Sequence, residues 1–188
     1  MKKGKIFIIS GPAGVGKDTI TKGVKKEHPD LRQIKSYTTR PPRKSDEVGN
    51  RIFVSASEFK KMIANKEMIE WAKVHTFYYG RKKDDIVRHI EKGDNVIMDV
   101  DVKGAVTYEK IMPEVISIFI CYEDSAHFES RLKKNRPETS REELKIRRQS
   151  MIRELKFRKY YDYIVINYEG HPEKAIEKVE KIIRNVIE

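Results

Sequence analysis

This 188-residue sequence has little cysteine and no long apolar run or low-complexity tract. These shortages exclude a disulfide-rich protein, a protein with membrane-spanning helices and a repetitive sequence. The single cysteine, Cys121, cannot form an internal disulfide, and the apolar run around it predicts a buried side chain. No run approaches the roughly 18 consecutive apolar residues of a membrane-spanning helix, and the first apolar stretch is too short for a signal peptide. We therefore expect a single globular domain that is cytoplasmic and has no membrane partner.

Basic residues exceed acidic ones, with 40 Lys and Arg against 29 Asp and Glu and a formal net charge of +11. Such an excess is compatible with nucleic-acid binding or with polyphosphate substrates. The basic residues are dispersed and alternate with Glu, as in residues 173–181, which favours solvated helix faces. No nucleic-acid recognition motif accompanies the charge, so we expect no nucleic-acid partner.

The apolar pattern predicts an α/β fold. Four short β-branched runs predict strands covered on both faces: residues 5–10, 95–102, 115–122 and 163–167. Helical patterns follow them at residues 19–26, 84–92, 102–112 and 172–187. Strands that alternate with helices predict a three-layer sandwich with a central parallel sheet.

Residues 34–80 are rich in Thr, Tyr and Phe and predict a small mixed α+β insertion. Its predicted strands are residues 34–39, 51–54, 68–74 and 77–79, and Ser55 and Glu58 have the capping-box spacing that opens a helix. A second such pair, Ser140 and Glu143, opens a long basic helix. Residues 128–137 are predicted to be a polar segment between two helices and a candidate mobile lid.

The first predicted strand runs into a glycine-rich turn with the spacing G-x-x-x-x-G-K of a phosphate-binding loop. Glycines let consecutive N–H groups point inward, the following helix adds its positive N-terminal dipole, and the lysine supplies a cation. The pattern usually has Ser or Thr after the lysine, whereas this chain has an aspartate. The loop comprises Gly11, Pro12, Ala13, Gly14, Val15, Gly16, Lys17, Asp18 and Thr19.

Two further features suit phosphoryl transfer, which requires positioned phosphates and neutralised charge. Arg40 and Arg43 flank two prolines, and the guanidinium fork binds phosphate oxygens in a bidentate way. Asp99 and Asp101 lie at the polar end of a predicted strand, where ligands bind in open α/β sheets. Both pairs have plainer interpretations, a basic surface loop for the arginines and a helix cap for either aspartate.

With these motifs in order along almost the whole chain, the sequence resembles the guanylate kinases, which transfer a phosphoryl group from ATP to GMP or dGMP. The insertion motifs carry the resemblance more specifically than the loop does. The matching segments are residues 11–17, 36–43, 53–55 with 58–59, 69–72, 78–80, 99–105 and 165–167.

The resemblance implies ATP and Mg²⁺ as cofactors, and a role for each matching residue. Ser36, Glu70 and Asp101 would read the guanine edge, where a carboxylate can accept from both N1–H and the 2-amino group. The acceptor phosphate would be held by Arg40, Arg43 and Tyr79. Arg136 and Arg147 would close over the ATP phosphates, with Arg148 as an adjacent candidate, and Asp99 would lie near the metal. The implied division is a core (1–35, 86–125 and 156–188), a GMP-binding subdomain (36–85) and a lid (126–155).

The chain departs from the family pattern at several positions. Residues 47–50 lack the usual Gly-x-Asp-Tyr approach, and residues 135–137 replace the usual Gly-Arg-Gly of the lid. Arg51 replaces a tyrosine that grips the acceptor phosphate, Arg81 replaces a small hydroxyl residue, and Asp18 follows the loop lysine. We count Arg51 and Arg81 as candidate substrate-binding cations.

Two alternative functions stay open. The Lys-Asp-Thr run also resembles ribose 1,5-bisphosphate kinases, the enzymatic alternative. A non-catalytic guanylate-kinase-like binding module is the alternative from another class. Oligomeric state is not predictable from the sequence.

Overall fold

The computed structural model describes residues 3–42, 51–74, 76–124, 126–135 and 139–188. The strands are β1 (Ile6–Ser10), β2 (Arg32–Gln33), β3 (Ser36–Thr38), β4 (Arg51–Phe53), β5 (Met68–Val74), β6 (Phe77–Lys82), β7 (Val96–Asp99), β8 (Ile116–Tyr122) and β9 (Tyr163–Asn167). The helices are α1 (Lys17–Glu27), α2 (Ala56–Ala64), α3 (Lys83–Glu91), α4 (Val102–Ile111), α5 (His127–Asn135), α6 (Arg141–Leu155) and α7 (Pro172–Ile187), and residues Lys156–Tyr160 form a 3₁₀ turn.

The main sheet has the strand order β2-β7-β1-β8-β9, and all of its paired strands run parallel. The central strand β1 is buried along its whole length, as its unbroken apolar run predicts. Parallel strands present their carboxyl ends at one edge of the sheet, so β1 ends at Ser10 next to the end of β7, where Asp99 pairs with Ile9. The loops at this edge are where ligands bind in folds of this kind.

Two helix layers cover the main sheet, because successive strand residues point to opposite faces. Phe7 and Ile9 join one core cluster, which packs against α1, α5, α6 and α7. Ile6 and Ile8 join the other cluster, which packs against α3 and α4. The predicted three-layer α/β sandwich is confirmed.

The predicted insertion is also confirmed as a mixed sheet, with the order β4-β3-β6-β5. The β3–β4 pair is parallel, whereas β3–β6 and β5–β6 are antiparallel. Helix α2 joins β4 to β5 and begins with the predicted capping box. The Ser55 hydroxyl accepts from the Glu58 N–H at 3.1 Å, and the Glu58 carboxylate accepts from the Ser55 N–H at 2.8 Å.

The sequence interpretation was wrong for residues 128–137, which were expected to be a polar segment between helices. Most of them belong to helix α5, because Phe128 and Leu132, one turn apart, are both buried against the main sheet. Sequence patterns also missed β2, a two-residue polar edge strand paired with β7. Cys121 is buried, as expected. No helix in the described ranges is long and apolar enough to cross a membrane.

Candidate functional site at the carboxyl edge of the main sheet

The turn after β1 has the backbone geometry of a phosphate-binding loop. Gly11, Gly14 and Gly16 all have positive φ angles, 140°, 79° and 98°. A Cβ on Gly16 would lie 2.6 Å from the Asn167 amide nitrogen, so a side chain there would meet both backbone strain and a clash. Helix α1 starts at Lys17, and within the described residues no side chain caps its first N–H groups. These donors and the helix dipole favour an anion.

Side chains from two distant strands fix the shape of this loop. The Tyr122 hydroxyl at the end of β8 donates to the Ala13 carbonyl at 2.6 Å, and the Asn167 amide at the end of β9 donates to the Val15 carbonyl at 2.7 Å. Composition and spacing gave no sign of the Tyr122 contact. Asn167 matched a family motif, although no role could be assigned to it from the sequence.

Lys17 folds over its own loop. Its ammonium group donates to the carbonyls of Gly11 at 2.7 Å and Pro12 at 3.0 Å. Burial lowers the pKa of Lys17, and the charges of Asp99 and Asp18 oppose that shift. An ammonium has three donors, and the bonds made within the described residues use two of them, so the third could serve a ligand. The predicted loop lysine is thus held at the mouth of the loop.

Asp18 lies on the first turn of α1, where the helix dipole favours negative charge. Burial and the nearby charge of Asp99 raise the pKa of Asp18, and the cation of Arg51 opposes the rise. Two carboxylates close enough to repel each other suit a hard divalent cation, which prefers oxygen ligands. Asp18 and Asp99 therefore fit Mg²⁺, although no group of three potential metal-binding side chains occurs among the described residues.

A buried ion pair joins the insertion to the main sheet. Arg81 and Glu70 are cross-strand neighbours on β6 and β5, and Arg81 Nη1 donates to Glu70 Oε1 at 3.2 Å. Arg81 Nη2 donates to the Asp99 carbonyl and lies 3.6 Å from the Asp99 carboxylate. The Arg81 side chain is only 5% exposed and that of Glu70 11% exposed. One guanidinium thus connects a predicted base-reading residue with a predicted metal-proximal residue.

The electrostatics of this cluster follow from its burial. Burial raises the pKa of Glu70, the charge of Arg81 opposes that rise, and the charge of Asp101 adds to it. The Tyr108 hydroxyl is buried beside the same guanidinium, and burial raises its pKa strongly. The sequence interpretation missed Tyr108, which sits in an ordinary helical apolar pattern.

Asp101 caps helix α4, since its carboxylate accepts from the Gly104 N–H at 2.7 Å. This contact is the helix-cap interpretation left open by the sequence. The same side chain also faces the cluster: a Cβ on Gly104 would lie 3.2 Å from Asp101 Oδ1 and 3.8 Å from Glu70 Oε2. Capping and a role in the site are therefore compatible for Asp101.

The remaining candidates in the insertion lie on the strands of its mixed sheet or directly after them. Arg51 Nη1 donates to the Ser36 hydroxyl at 3.4 Å, and the two residues are direct partners in the β3–β4 register. Arg40 is nearly buried, donates to the Pro41 carbonyl at 2.8 Å and lies 5.6 Å above the Phe53 ring. Tyr79 pairs with Thr38 across β3 and β6. Arg43 falls outside the described residues.

The candidate lid arginines lie on or before α6. Arg147 makes two hydrogen bonds to Glu143, one turn earlier, at 2.8 and 2.6 Å. Arg148 is more exposed and pairs with Glu129 of α5 at 3.5 Å. Arg136 falls outside the described residues.

Sequence reasoning missed Glu154 of α6. Burial raises the pKa of Glu154, while the Lys17 charge and the Ala13 N–H oppose the rise.

A glycine-rich loop after the central strand of a parallel sheet, followed by a lysine at the start of a helix, defines a P-loop α/β protein. The family model described as "Guanylate kinase" matches residues 3–186. Proteins named guanylate kinase from Caldanaerobacter subterraneus subsp. tengcongensis and Carboxydothermus hydrogenoformans are 38% and 35% identical to this chain. Each match covers 97% of this chain, and 87% and 89% of the respective relative.

The fold has a solved counterpart in the crystal structure of guanylate kinase from Anaplasma phagocytophilum. That structure is similar with a TM-score of 0.72 and 25% sequence identity, covering 100% of this chain and 86% of the other. The chain belongs to the guanylate kinase family.

Proposed function

We propose that this protein is an ATP:GMP phosphotransferase, which moves the γ-phosphoryl group of ATP to a phosphate oxygen of GMP or dGMP and releases ADP and GDP. One observation carries the proposal beyond family membership. The Arg81 side chain contacts Glu70 and Asp99 together, so a base-reading carboxylate and a carboxylate at the phosphate-loop edge belong to one continuous site. Phosphoryl transfer requires this closeness of acceptor and donor.

The loop of residues 11–19 is our proposed binding site for the ATP phosphates. The donors are its backbone N–H groups, the uncapped start of α1 and the Lys17 ammonium. Lys17 would follow the negative charge that develops on the transferring group, and stabilisation of this kind is among the largest contributions in catalysis. Arg136 and Arg147 remain proposed contributors from the lid.

The insertion is our proposed acceptor site. Glu70 would accept hydrogen bonds from N1–H and the 2-amino group of guanine, a donor pair that adenine lacks. Ser36 and Asp101 would complete the base contacts, while Arg40, Arg43 and Tyr79 would hold the monophosphate. The near burial of Arg40 suits this role, because limited hydration strengthens the interaction of a guanidinium with a phosphate.

Asp18 and Asp99 are the residues we propose to lie around Mg²⁺, mostly through water and the nucleotide. When bound, the ion neutralises charge on the phosphate oxygens. Arg51 would offset the extra negative charge of Asp18, since its cation already acts on that carboxylate. These two departures from the family pattern therefore compensate each other electrostatically.

The proposed division of labour is the one implied by the resemblance: a core of 1–35, 86–125 and 156–188, a GMP-binding subdomain of 36–85 and a lid of 126–155. A cytoplasmic location and small-molecule nucleotide partners belong to the same proposal.

An assay of ADP release tests the function directly. Purified protein is supplied with ATP and Mg²⁺ and, in turn, GMP, dGMP, AMP, CMP, UMP or ribose 1,5-bisphosphate. We expect turnover with GMP and dGMP and little with the other acceptors. Turnover with ribose 1,5-bisphosphate alone would support the alternative kinase class, which the Lys17-Asp18-Thr19 run favours. No turnover together with no measurable ATP affinity would support a binding module instead.

A further inference from the structure

We propose that Arg81 determines acceptor specificity by donating hydrogen bonds to O6 and N7 of a bound guanine, next to the contacts of Glu70. The inference rests on the proposed function, because it concerns the acceptor of that reaction. It goes beyond the family pattern, in which this position carries a small hydroxyl residue.

The first support is the match between two neighbouring groups on the protein and two on the base. Along one edge of guanine, the N1–H donor is followed by the O6 acceptor and then by the N7 acceptor. On the protein, the Glu70 carboxylate acceptor is followed by the Arg81 guanidinium donor, with Oε1 and Nη1 3.2 Å apart. Glu70 can therefore accept from N1–H while Arg81 donates to O6 and N7. Arg is the side chain that most often contacts O6 and N7 of guanine.

The second support is the remaining hydrogen-bonding capacity of Arg81. A guanidinium has five N–H donors, and the described contacts are Nη1 to Glu70 and Nη2 to the Asp99 carbonyl. The buried Nε makes no hydrogen bond of normal geometry within the described residues, and the buried Tyr108 hydroxyl lies against the same guanidinium as its hydrogen-bond neighbour. Each Nη group carries a second N–H beyond these contacts, and this is the donor pair that the proposal assigns to O6 and N7.

The third support is how Arg81 is held. Its side chain is only 5% exposed, and it is held between carboxylates on β5 and β7. A cation fixed in this way cannot swing out to follow a mobile phosphate, as an exposed arginine could. It instead presents donors in a fixed direction, which is what base recognition requires.

The chemistry predicts which purines are accepted. Adenine carries an amino group at C6, where guanine carries O6. The N–H donors of Arg81 would then meet another donor instead of an acceptor, so binding of adenine is disfavoured. Hypoxanthine keeps O6 and N7 but lacks the 2-amino group, so Glu70 and the other base contacts, and not Arg81, distinguish it from guanine. Removal of Arg81 should therefore relax discrimination against AMP while leaving the preference for GMP over IMP nearly unchanged.

The decisive probe is 7-deaza-GMP, in which a C–H group replaces N7. We compare kcat/KM for GMP, 7-deaza-GMP, IMP and AMP in the natural protein, R81T, R81K and the control R88A. Arg88 is a suitable control because it is exposed and its contacts within the described residues are local, with Asp85 and the Asp84 carbonyl. Thermal unfolding of each variant tests whether it is folded, and the probe comparison in the natural protein requires no substitution.

We expect the natural protein and R88A to use 7-deaza-GMP about tenfold less efficiently than GMP, which is within the worth of a bidentate arginine–guanine contact. In R81T the two substrates should be equivalent within about twofold, and R81K should retain only part of the difference because lysine lacks the fork. Equal use of both substrates by the natural protein would overturn the inference. So would an equal loss for every monophosphate in R81T, which would indicate a phosphate contact. Absence of any GMP turnover would instead overturn the proposed function itself.

Discussion

Replacing Lys17 by Met tests the proposed phosphate loop most directly. Met keeps most of the apolar stem of Lys17 and removes its charge and all three donors. Two of those donors hold the Gly11 and Pro12 carbonyls, at 2.7 and 3.0 Å, and the third is the one we expect to reach the transferring phosphoryl group. The substitution therefore has separable effects on the free protein and on the transition state.

The effect on stability should be modest. Each lost hydrogen bond costs about 1 kcal/mol, and the buried ammonium, whose pKa is lowered by desolvation, no longer has to be kept charged. The two terms oppose each other, so we expect a net change below about 2 kcal/mol. For a domain of this size that corresponds to a shift in Tm of at most about 4–8 °C.

The effect on turnover should be much larger. Removal of one preorganised donor at a site of developing charge typically lowers kcat by about 10²–10³, or roughly 3–4 kcal/mol. Coupled ADP release with saturating ATP, GMP and Mg²⁺ measures it, and K26M is the matched control because Lys26 is an exposed lysine of the same helix. A K17M protein that melts normally and turns over within threefold of the natural protein would refute the assignment of this loop.

The other predictions concern the glycine turn, the base site and the lid. Gly16→Ala should destabilise the protein by about 1–3 kcal/mol more than Gly170→Ala in thermal melts, since the positive φ strains both variants alike but only the Gly16 side chain would clash. The raised pKa of Glu70 predicts that KM for GMP increases about tenfold per pH unit below that pKa, and Glu70→Gln should remove this dependence from the pH profile. Arg147→Ala should lower kcat at least tenfold, whereas Arg148→Ala, which removes a more exposed arginine, should stay within threefold.

Most of the fold was predictable because its signals are local. Buried parallel strands such as β1 appear in the sequence as unbroken apolar runs. The capping box, a motif of four residues from Ser55 to Glu58, marks the start of α2. Helix α5 was missed because its apolar residues, Phe128 and Leu132, are few among many charges. Strand β2 was missed because two polar residues at a sheet edge have no periodicity to detect.

The site was predictable where motifs carry it and not where burial decides it. The glycine-rich turn and the position of Asp99 and Asp101 at the edge of the sheet could be predicted from strand ends and spacing, and their roles stay predictions. The burial and partners of Arg81 could not be predicted. The sequence shows an extra cation, but not that this cation is buried between Glu70 and Asp99. Tyr108 and Glu154 join the site through tertiary packing, to which no short pattern corresponds.

The two side chains that shape the phosphate loop have a consequence for biosynthesis. Tyr122 and Asn167 contact loop carbonyls that precede them by 109 and 152 residues. A ribosome therefore completes the loop sequence long before it supplies the groups that hold the loop in shape. Contacts so distant in sequence form slowly, because the intervening chain must first be ordered. The emerging chain should gain the capacity to bind ATP only late in its synthesis, when β9 has joined the edge of the sheet.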